Sequence, residues 1–512
     1  MLSFRTHRAG PTPQISDEDE QHSDFKLPPM PSLTIILMAN ALMQISFFIV
    51  VASSNEYAHH LGGTSTFSGV VIGIPTVFSG LTLLPLMKLD RGGYSIPLHV
   101  CCCASIIGLI LYALAYKANF LYLILIGRIV SGIGFSMWMY CKRYVSDPRI
   151  VGVRRRTTLA SWLVVGNGVG MCLGPFLGGV LYRYIGFANK GRELWNGFTS
   201  PAWIMSAVWA AYWVTVWLWF EDIPTATTRN NSAPVEDVKR EDPEVITERE
   251  FEASYSTAAE PEKNHSTVAE ARLPAALAST PITPGTSQHA SSRSTLVEDT
   301  YKVSLQQFGV IVCMCWFAMT CFFVLGAWES NIPIFGSKTP GLYFTPFSSG
   351  NFLSLGALAA FPFFLTNIFV ARRIQDRYIL IFGTVIGSLA LIIFLVLVTA
   401  APQPSRDGDV AFVGGYAGAF MCWFAVAMGF NVASTVTVSL LSKQVPPTPK
   451  WNGITSLAIQ YSNYCGRVTG AIWGGAGVGL GMPTYVGLEI AIVGVGGILS
   501  VMTWKNLKAK TG

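Results

Sequence analysis

Charged and amide side chains inside long apolar stretches are the residues of this chain that could do chemistry. Arg128 stands within Leu125-Ile126-Gly127-Arg128-Ile129-Val130, in a stretch long enough to cross a bilayer. A lone arginine near the bilayer centre costs at least about 2.5–3.5 kcal/mol on insertion scales. Arg128 should therefore face a polar interior, either as a functional cation or as a structural arginine hydrogen-bonded to backbone.

A second arginine belongs to a polar stripe. Gln460, Asn463, Tyr464 and Arg467 recur at intervals of three or four residues within an apolar stretch, so on a helix they share one face. Such a face avoids lipid. The pattern predicts a cavity lining in which Arg467 contacts an anion.

Carboxylates are scarce in the apolar stretches. Glu329 follows the seventh apolar stretch and Glu489 lies within the last, while the first contains the amides Asn40 and Gln44 without an acid. Proton coupling needs a carboxylate that changes its protonation state, so Glu329 and Glu489 are the candidates that the apolar stretches offer.

These residues must be positioned by membrane helices. The 512 residues are 51% hydrophobic and only 12% charged, about half the charge of an ordinary soluble protein. Twelve apolar stretches have the roughly 20 residues needed to cross a bilayer. They are residues 32–53, 66–88, 96–116, 119–140, 158–182, 201–220, 306–328, 347–371, 378–400, 411–434, 454–478 and 483–503. The sequence predicts an all-α integral membrane protein in contact with the lipid bilayer.

The polar segments divide the chain. We expect a disordered N-terminal tail at 1–31 without a cleavable signal peptide, a six-helix bundle at 32–220, a disordered acidic linker at 221–304, a second bundle at 305–503 and a tail at 504–512. Placing both termini in the cytosol puts sixteen bases in the cytosolic connections and six in the opposite ones. The positive-inside rule therefore favours cytosolic termini and a cytosolic linker.

The two halves repeat each other. Glycines recur at every fourth residue in the fifth stretch, and Gly466, Gly470 and Gly474 do so at the equivalent place six stretches later. This spacing lets another helix approach closely, and its repetition suggests two pseudo-symmetric halves around a cavity near the midplane. Pro175 with Gly170, Gly174, Gly178 and Gly179 predicts a hinge or a sealed interface.

The turns after the second and eighth stretches are also similar. They contain Asp90 with Arg91, and Asp376 with Arg377 after the pair Arg372-Arg373. An acid beside arginines could pair across the two halves and hold one face shut. Ordinary loop charge under the positive-inside rule is the alternative.

These motifs together resemble the major facilitator superfamily. Gly127-Arg128-Ile-Val-Ser-Gly132-Ile-Gly134 is similar to its RxxxGxG motif, and Gly170-Met-Cys-Leu-Gly174-Pro175-Phe-Leu-Gly178-Gly179 to the gxxxGPxxGG signature of drug:proton antiporters. The loop at Asp90, Arg91 and Gly93 is a degenerate GxxxDRxGRR. Arg143-Tyr144, Trp328-Glu329 and Gly466-Arg467 resemble the lysosomal and vacuolar branch that includes the neuronal ceroid lipofuscinosis transporter and its fungal relatives.

The resemblance implies the major facilitator fold of twelve helices and a monomer that moves a small organic solute by alternating access. It implies a role for Arg128 in proton coupling or charge compensation, and it places an acid at Glu329. The arginines favour an anionic solute, and proton antiport is the expected coupling. A vacuolar or peroxisomal membrane is favoured over the plasma membrane. A passive anion channel, a carrier of drugs or secondary-metabolite precursors, and a receptor signalling through the linker are the alternatives.

Enzyme signatures are missing from the sequence. It contains no HExxH, P-loop, nucleophile elbow or paired CxxC, and its seven histidines do not have metal-ligand spacing. We therefore expect no catalytic residues, no metal, no cofactor and no nucleic-acid partner.

Overall fold

The structure, a computed structural model, describes most of the apolar body of the chain. The described residues are 26–90, 92–147, 149–186, 193–223, 303–370, 374–400, 403–404, 410–445 and 449–508. Most of the predicted N-terminal tail and almost all of the predicted linker lie outside these ranges.

The first half contains six membrane spans, of which the first and fourth are each divided into two helices. Its helices are α1 (Met30–Phe48), α2 (Val51–His60), α3 (Ser65–Leu89), α4 (Ser95–Ala118), α5 (Leu121–Phe135), α6 (Met137–Ser146), α7 (Val153–Ile185) and α8 (Ser200–Trp219). The side chain of Thr64 caps α3 by accepting a hydrogen bond from the backbone nitrogen of Phe67 at 3.2 Å. Asp222, just after α8, accepts hydrogen bonds from the nitrogens of Tyr94 and Ser95 and so fixes the start of α4.

The second half repeats this order. Its helices are α9 (Leu305–Lys338), α10 (Pro346–Val370), α11 (Asp376–Thr399), α12 (Gly415–Thr435), α13 (Thr437–Ser442), α14 (Pro449–Leu480) and α15 (Met482–Met502), and the two-residue strands β1 (Gln403–Pro404) and β2 (Val410–Ala411) pair antiparallel between α11 and α12. A capping box of Ser304 and Gln307 starts α9. The predicted all-α membrane architecture is confirmed.

The predicted number of spans is close to what the structure shows. Within the described ranges, eleven spans are long and apolar enough to cross a membrane. The twelfth, α14, has 32 residues, but its glycines and polar stripe lower its apolar content. The seventh span was predicted to end at residue 328, whereas α9 continues to Lys338 because Ile332 and Ile334 beyond Glu329 are buried apolar residues.

The two glycine ladders pack equivalent helices in the two halves. In the first half, Gly170, Gly174 and Gly178 of α7 lie against the end of α1 and the residue that follows it. At Gly178 a Cβ atom would overlap the carbonyl oxygen of Ile49. In the second half, Gly466, Gly470 and Gly474 of α14 lie in the same way against α9. Spans 1 and 5 therefore correspond to spans 7 and 11, which is the internal repeat that the spacing predicts.

Two seams join the halves. In one, α3 packs on α14, where Gly73 lies against Val468 and the Ser79 hydroxyl donates to the Tyr464 hydroxyl at 2.8 Å. In the other, α7 packs on α10, where Gly179 lies against Phe347. The candidate site lies between these seams.

Candidate substrate site

Two arginines from different halves meet on one aromatic ring. The Cζ atom of Arg128, on α5, lies 5.4 Å from the centre of the Phe47 ring, and the Cζ atom of Arg467, on α14, lies 4.6 Å from it. Phe47 belongs to α1 and is fully buried. We call Phe47, Arg128, Glu329 and Arg467 the central cluster. The structure thus brings together residues that are up to 420 positions apart in the sequence.

Arg128 is a buried cation with little compensation. Only 1% of its surface is exposed, and its Nε donates to the carbonyl oxygen of Val71 at 3.2 Å. Its two terminal nitrogens have no hydrogen-bond acceptor among the described residues. A buried charge normally has a partner of opposite sign, because leaving water costs several kcal/mol. The free end of this guanidinium is therefore suited to an anion.

Arg467 is held by Glu329. Its Nη2 donates to the Glu329 Oε2 at 2.7 Å, and the two side chains are 9% and 2% exposed. The Nε of Arg467 and the Oε1 of Glu329 find no partner within the parts of the chain that the structure describes. The pair joins α9 to α14 and leaves the Arg467 Nε without an acceptor among the described residues. Neutralising Glu329 would make the Arg467 guanidinium, like that of Arg128, available to an anion.

Two residues of the polar stripe of α14, Gln460 and Tyr464, contact the first half. The Lys142 Nζ, at the end of span 4, donates to the Gln460 Oε1 at 2.9 Å. Tyr464 contacts Ser79, as described for the seam, and Asn463 has a carbonyl oxygen to which no described residue donates. With the central cluster, the stripe brings buried polar and charged groups together where the two halves meet.

The net charge of these groups is positive. Arg128, Lys142 and Arg467 contribute three cations, and Glu329 contributes one carboxylate. An excess of cations attracts anions and repels cations. The arginines also offer the planar donor geometry that matches carboxylate and phosphate groups.

Asn40 and Gln44 lie elsewhere. The amide nitrogen of Asn40 donates to the Leu163 carbonyl at 2.9 Å and to the Asn167 Oδ1 at 3.0 Å. Gln44 lies beside Gly170. The Asn40 amide therefore joins α1 to α7. Gln44 is partly exposed, and its role toward the solute stays a prediction.

The antiporter-like motif of α7 has two faces. Gly170, Gly174 and Gly178 pack inside the first half, whereas the carbonyl oxygen of Pro175 and the Cα of Gly179 lie where a Cβ on Gly350 of α10 would be. The motif thus gives α7 close contact with both halves. This arrangement agrees with the sealed interface that the sequence predicts at Pro175.

The candidate gating residues pair within their own halves. The Asp90 Oδ2 accepts from Arg143 Nη1 at 3.0 Å, and the Asp376 Oδ2 accepts from Lys443 Nζ at 2.8 Å. The expected pairing of these acids across the halves is wrong for this structure, because a base at the end of span 4 or span 10 lies beside each acid. Arg377 stacks instead on the rings of Trp504 and Tyr378. Arg91, Arg372 and Arg373 lie outside the described residues.

Two contributors were not singled out from the sequence, and the surroundings of a third were not predicted. Phe47 carries no signal, since it is one aromatic residue in an apolar helix. Lys142 was counted only as loop charge. Glu489 was recognised from the sequence as a carboxylate in the last apolar stretch. The structure adds that it is fully buried on α15 and accepts a hydrogen bond from the Trp328 Nε1 at 2.9 Å, a contact that depends on helix packing.

The described residues contain no group of three His, Cys, Asp or Glu side chains that could hold a metal ion. The ten cysteines lie in the described ranges as free thiols. The contacts observed within the central cluster are an ion pair, hydrogen bonds and cation–π contacts.

Comparisons with known proteins agree with this architecture. The family model of the Major Facilitator Superfamily matches residues 34–479. An MFS-type transporter of Schizosaccharomyces pombe is 28% identical over 99% of this chain and 88% of its own length, and another protein of that yeast is 30% identical over 95% and 84%. A solved bacterial homologue of the human lysosomal transporter Spinster, inward-facing and occupied, has a TM-score of 0.59 at 13% identity, covering 92% of this chain and 96% of that one.

Proposed function

Because this chain belongs to the major facilitator superfamily and is a transporter rather than an enzyme, we propose that it moves a small organic anion across a membrane by alternating access, with a proton as the coupling ion. The observation that carries the proposal is the buried guanidinium of Arg128, whose terminal nitrogens have no acceptor among the described residues. A substrate carboxylate or phosphate would supply both the missing charge and the missing hydrogen bonds.

The place of the cluster supports alternating access. Phe47 and Arg128 belong to the first half, and Glu329 and Arg467 to the second. A solute bound between the arginines therefore contacts both halves, and its binding is sensitive to their relative movement.

The Glu329–Arg467 pair supports a specific linkage between proton binding and anion binding. A proton on Glu329 neutralises the carboxylate, so Arg467 becomes available to the anion. Proton and anion then favour each other's binding, which is the relation expected of a symporter. Proton antiport, the expectation from sequence, would instead suit a cation that competes with the proton for Glu329. We propose symport of a proton with an organic anion.

Uptake into proteoliposomes tests this function. The probes are radiolabelled citrate, succinate, lactate and inorganic phosphate, with tetraethylammonium as a cationic probe, and the vesicles carry an imposed pH gradient. We expect uptake of at least one anion that depends on the gradient and that is lost in Arg128→Gln and Arg467→Gln. The matched control is Arg183→Gln, since Arg183 also stacks on an aromatic ring, Phe347, at 4.5 Å but outside the cluster.

The outcomes separate the alternatives. Uptake of tetraethylammonium alone would overturn the anion proposal. Anion uptake that does not depend on the pH gradient would show that the proton is not the coupling ion. Unitary current steps in planar bilayers would indicate a passive anion channel. Deletion of residues 225–300 should leave flux intact, whereas a receptor that signals through this segment would lose its output.

The cellular place of transport follows from the branch resemblance. We propose an organelle membrane, vacuolar or peroxisomal, with both termini in the cytosol. A fluorescent fusion imaged with organelle markers tests the compartment, and protease protection of a C-terminal tag on intact organelles tests the orientation. A plasma-membrane signal would favour the drug-carrier alternative.

A further inference from the structure

An apolar groove runs along the outside of the second half. It lies between α10, α11 and α12 and has a volume of about 460 Å³. Its walls include Phe363, Thr366, Asn367, Tyr378, Phe382 and Met428. The groove is separate from the central cluster, none of whose residues lines it.

The walls of the groove face the bilayer. Phe363 and Phe382 are 50% and 60% exposed, although both lie in membrane-spanning helices. The polar groups in the wall are already satisfied: the Thr366 hydroxyl donates to the Pro362 carbonyl of its own helix at 2.9 Å, and the Asn367 amide donates to the Thr435 hydroxyl at 3.2 Å. The groove thus presents apolar surface to lipid, which suits an acyl chain.

One end of the groove carries an uncompensated cation. The Arg377 Cζ lies 5.0 Å from the centre of the Tyr378 ring, which lines the groove, and 4.5 Å from that of Trp504. Its Nε has no hydrogen-bond partner among the described residues, and its bond to the Tyr378 hydroxyl is long, at 3.4 Å. The neighbouring acid Asp376 is occupied by Lys443 and Ser439.

We propose that this groove binds one anionic phospholipid from the leaflet at the face that carries the ends of the chain. The acyl chain lies along the apolar walls, and the phosphate pairs with Arg377. Basic pockets beside membrane helices recognise anionic head groups in this way, and Tyr and Trp rings are common at the level of the head groups.

Lipid retention tests the site. The whole protein is placed in nanodiscs of phosphatidylcholine with one-tenth phosphatidylserine, extracted gently, and its bound lipids are counted by native mass spectrometry. We expect wild type to retain phosphatidylserine preferentially, and Arg377→Gln to lower that preference about fivefold, the effect of one basic residue near a membrane surface. Arg377→Lys should restore most of it.

Two further variants distinguish the contribution of the Arg377 charge from that of the apolar groove. Thr366→Trp fills the groove from an exposed position and should lower the retention of both lipids. Arg183→Gln removes a cation–π arginine elsewhere and should leave the preference unchanged. Equal preference in wild type and Arg377→Gln, or an equal loss in Arg183→Gln, would overturn the proposal. Retention of phosphatidylcholine alone would show that the groove binds neutral lipid and would overturn it as well.

Discussion

The buried pair of Glu329 and Arg467 allows a prediction that needs no knowledge of the solute. Glu329→Gln removes the negative charge with little change in shape and leaves the Arg467 guanidinium, which is only 9% exposed, without its counter-charge. Breaking a buried pair in this way costs about 3–5 kcal/mol. The retained amide oxygen and the Phe47 ring at 4.6 Å offset part of this cost. We therefore expect Glu329→Gln to lower the free energy of unfolding by about 3 kcal/mol.

The reverse substitution should be less damaging. Arg467→Gln leaves the Glu329 carboxyl, which can take up a proton and become neutral, whereas a guanidinium stays charged at accessible pH. We expect Arg467→Gln to lower the free energy of unfolding by about half as much as Glu329→Gln. The double variant has no unpaired charge, and its coupling energy should be at least about 2 kcal/mol.

The free energy of unfolding is measured by denaturant titration in mixed micelles, followed by tryptophan fluorescence and extrapolated linearly. Glu489→Gln is the matched control, because Glu489 is equally buried, has no ion pair among the described residues, and a glutamine oxygen can still accept from Trp328. We expect it to stay within about 1 kcal/mol of wild type. Additive losses in the double variant would refute the reasoning that the pair acts as a unit.

Three further predictions concern other contacts. Arg128→Met should abolish transport yet raise the free energy of unfolding by about 1–4 kcal/mol in the same titration, since it removes an uncompensated buried charge. A free energy of unfolding below that of wild type would instead indicate a structural arginine. Gly178→Ala should lower the free energy of unfolding by about 1–3 kcal/mol because its Cβ would overlap the Ile49 carbonyl. The added Cβ of Gly487→Ala meets no atom, so this substitution should leave the free energy of unfolding unchanged or raise it. Burial acts to raise the pKa of Asp147, but the hydrogen bonds and charge of Arg149, with the bond from Tyr94, outweigh it and hold the pKa below its usual value. Asp147→Asn should therefore lower the free energy of unfolding by about 1 kcal/mol above about pH 5. The difference from wild type should fade only as the pH falls below the usual pKa of 3.8 and through the lowered pKa of the folded state.

The sequence predicted those features that depend on spacing within one helix. The glycine ladders, the polar face of α14 and most of the spans follow from intervals of three and four residues or from apolar length. These are local properties, and their physical causes, close helix approach and exclusion of polar groups from lipid, act within a single segment.

Features that depend on how helices meet could not be predicted in this way. Glu329 and Arg467 pair across 138 residues, and nothing in either segment specifies the other. Asp90 and Asp376 were expected to pair across the halves, but their partners Arg143 and Lys443 are set by the ends of spans 4 and 10. Phe47 differs from other apolar residues only by its neighbours.

The shared ring has a consequence for the unloaded carrier. Phe47 moves with one bundle, and Arg467 moves with the other, so reorientation without cargo must detach a cation from an aromatic face and leave Arg128 still unneutralised. Such a movement is opposed electrostatically, while a loaded carrier would turn over with its charges balanced. On the coupling proposed above, the same few atoms that attract the solute would thereby limit futile cycling of the empty carrier.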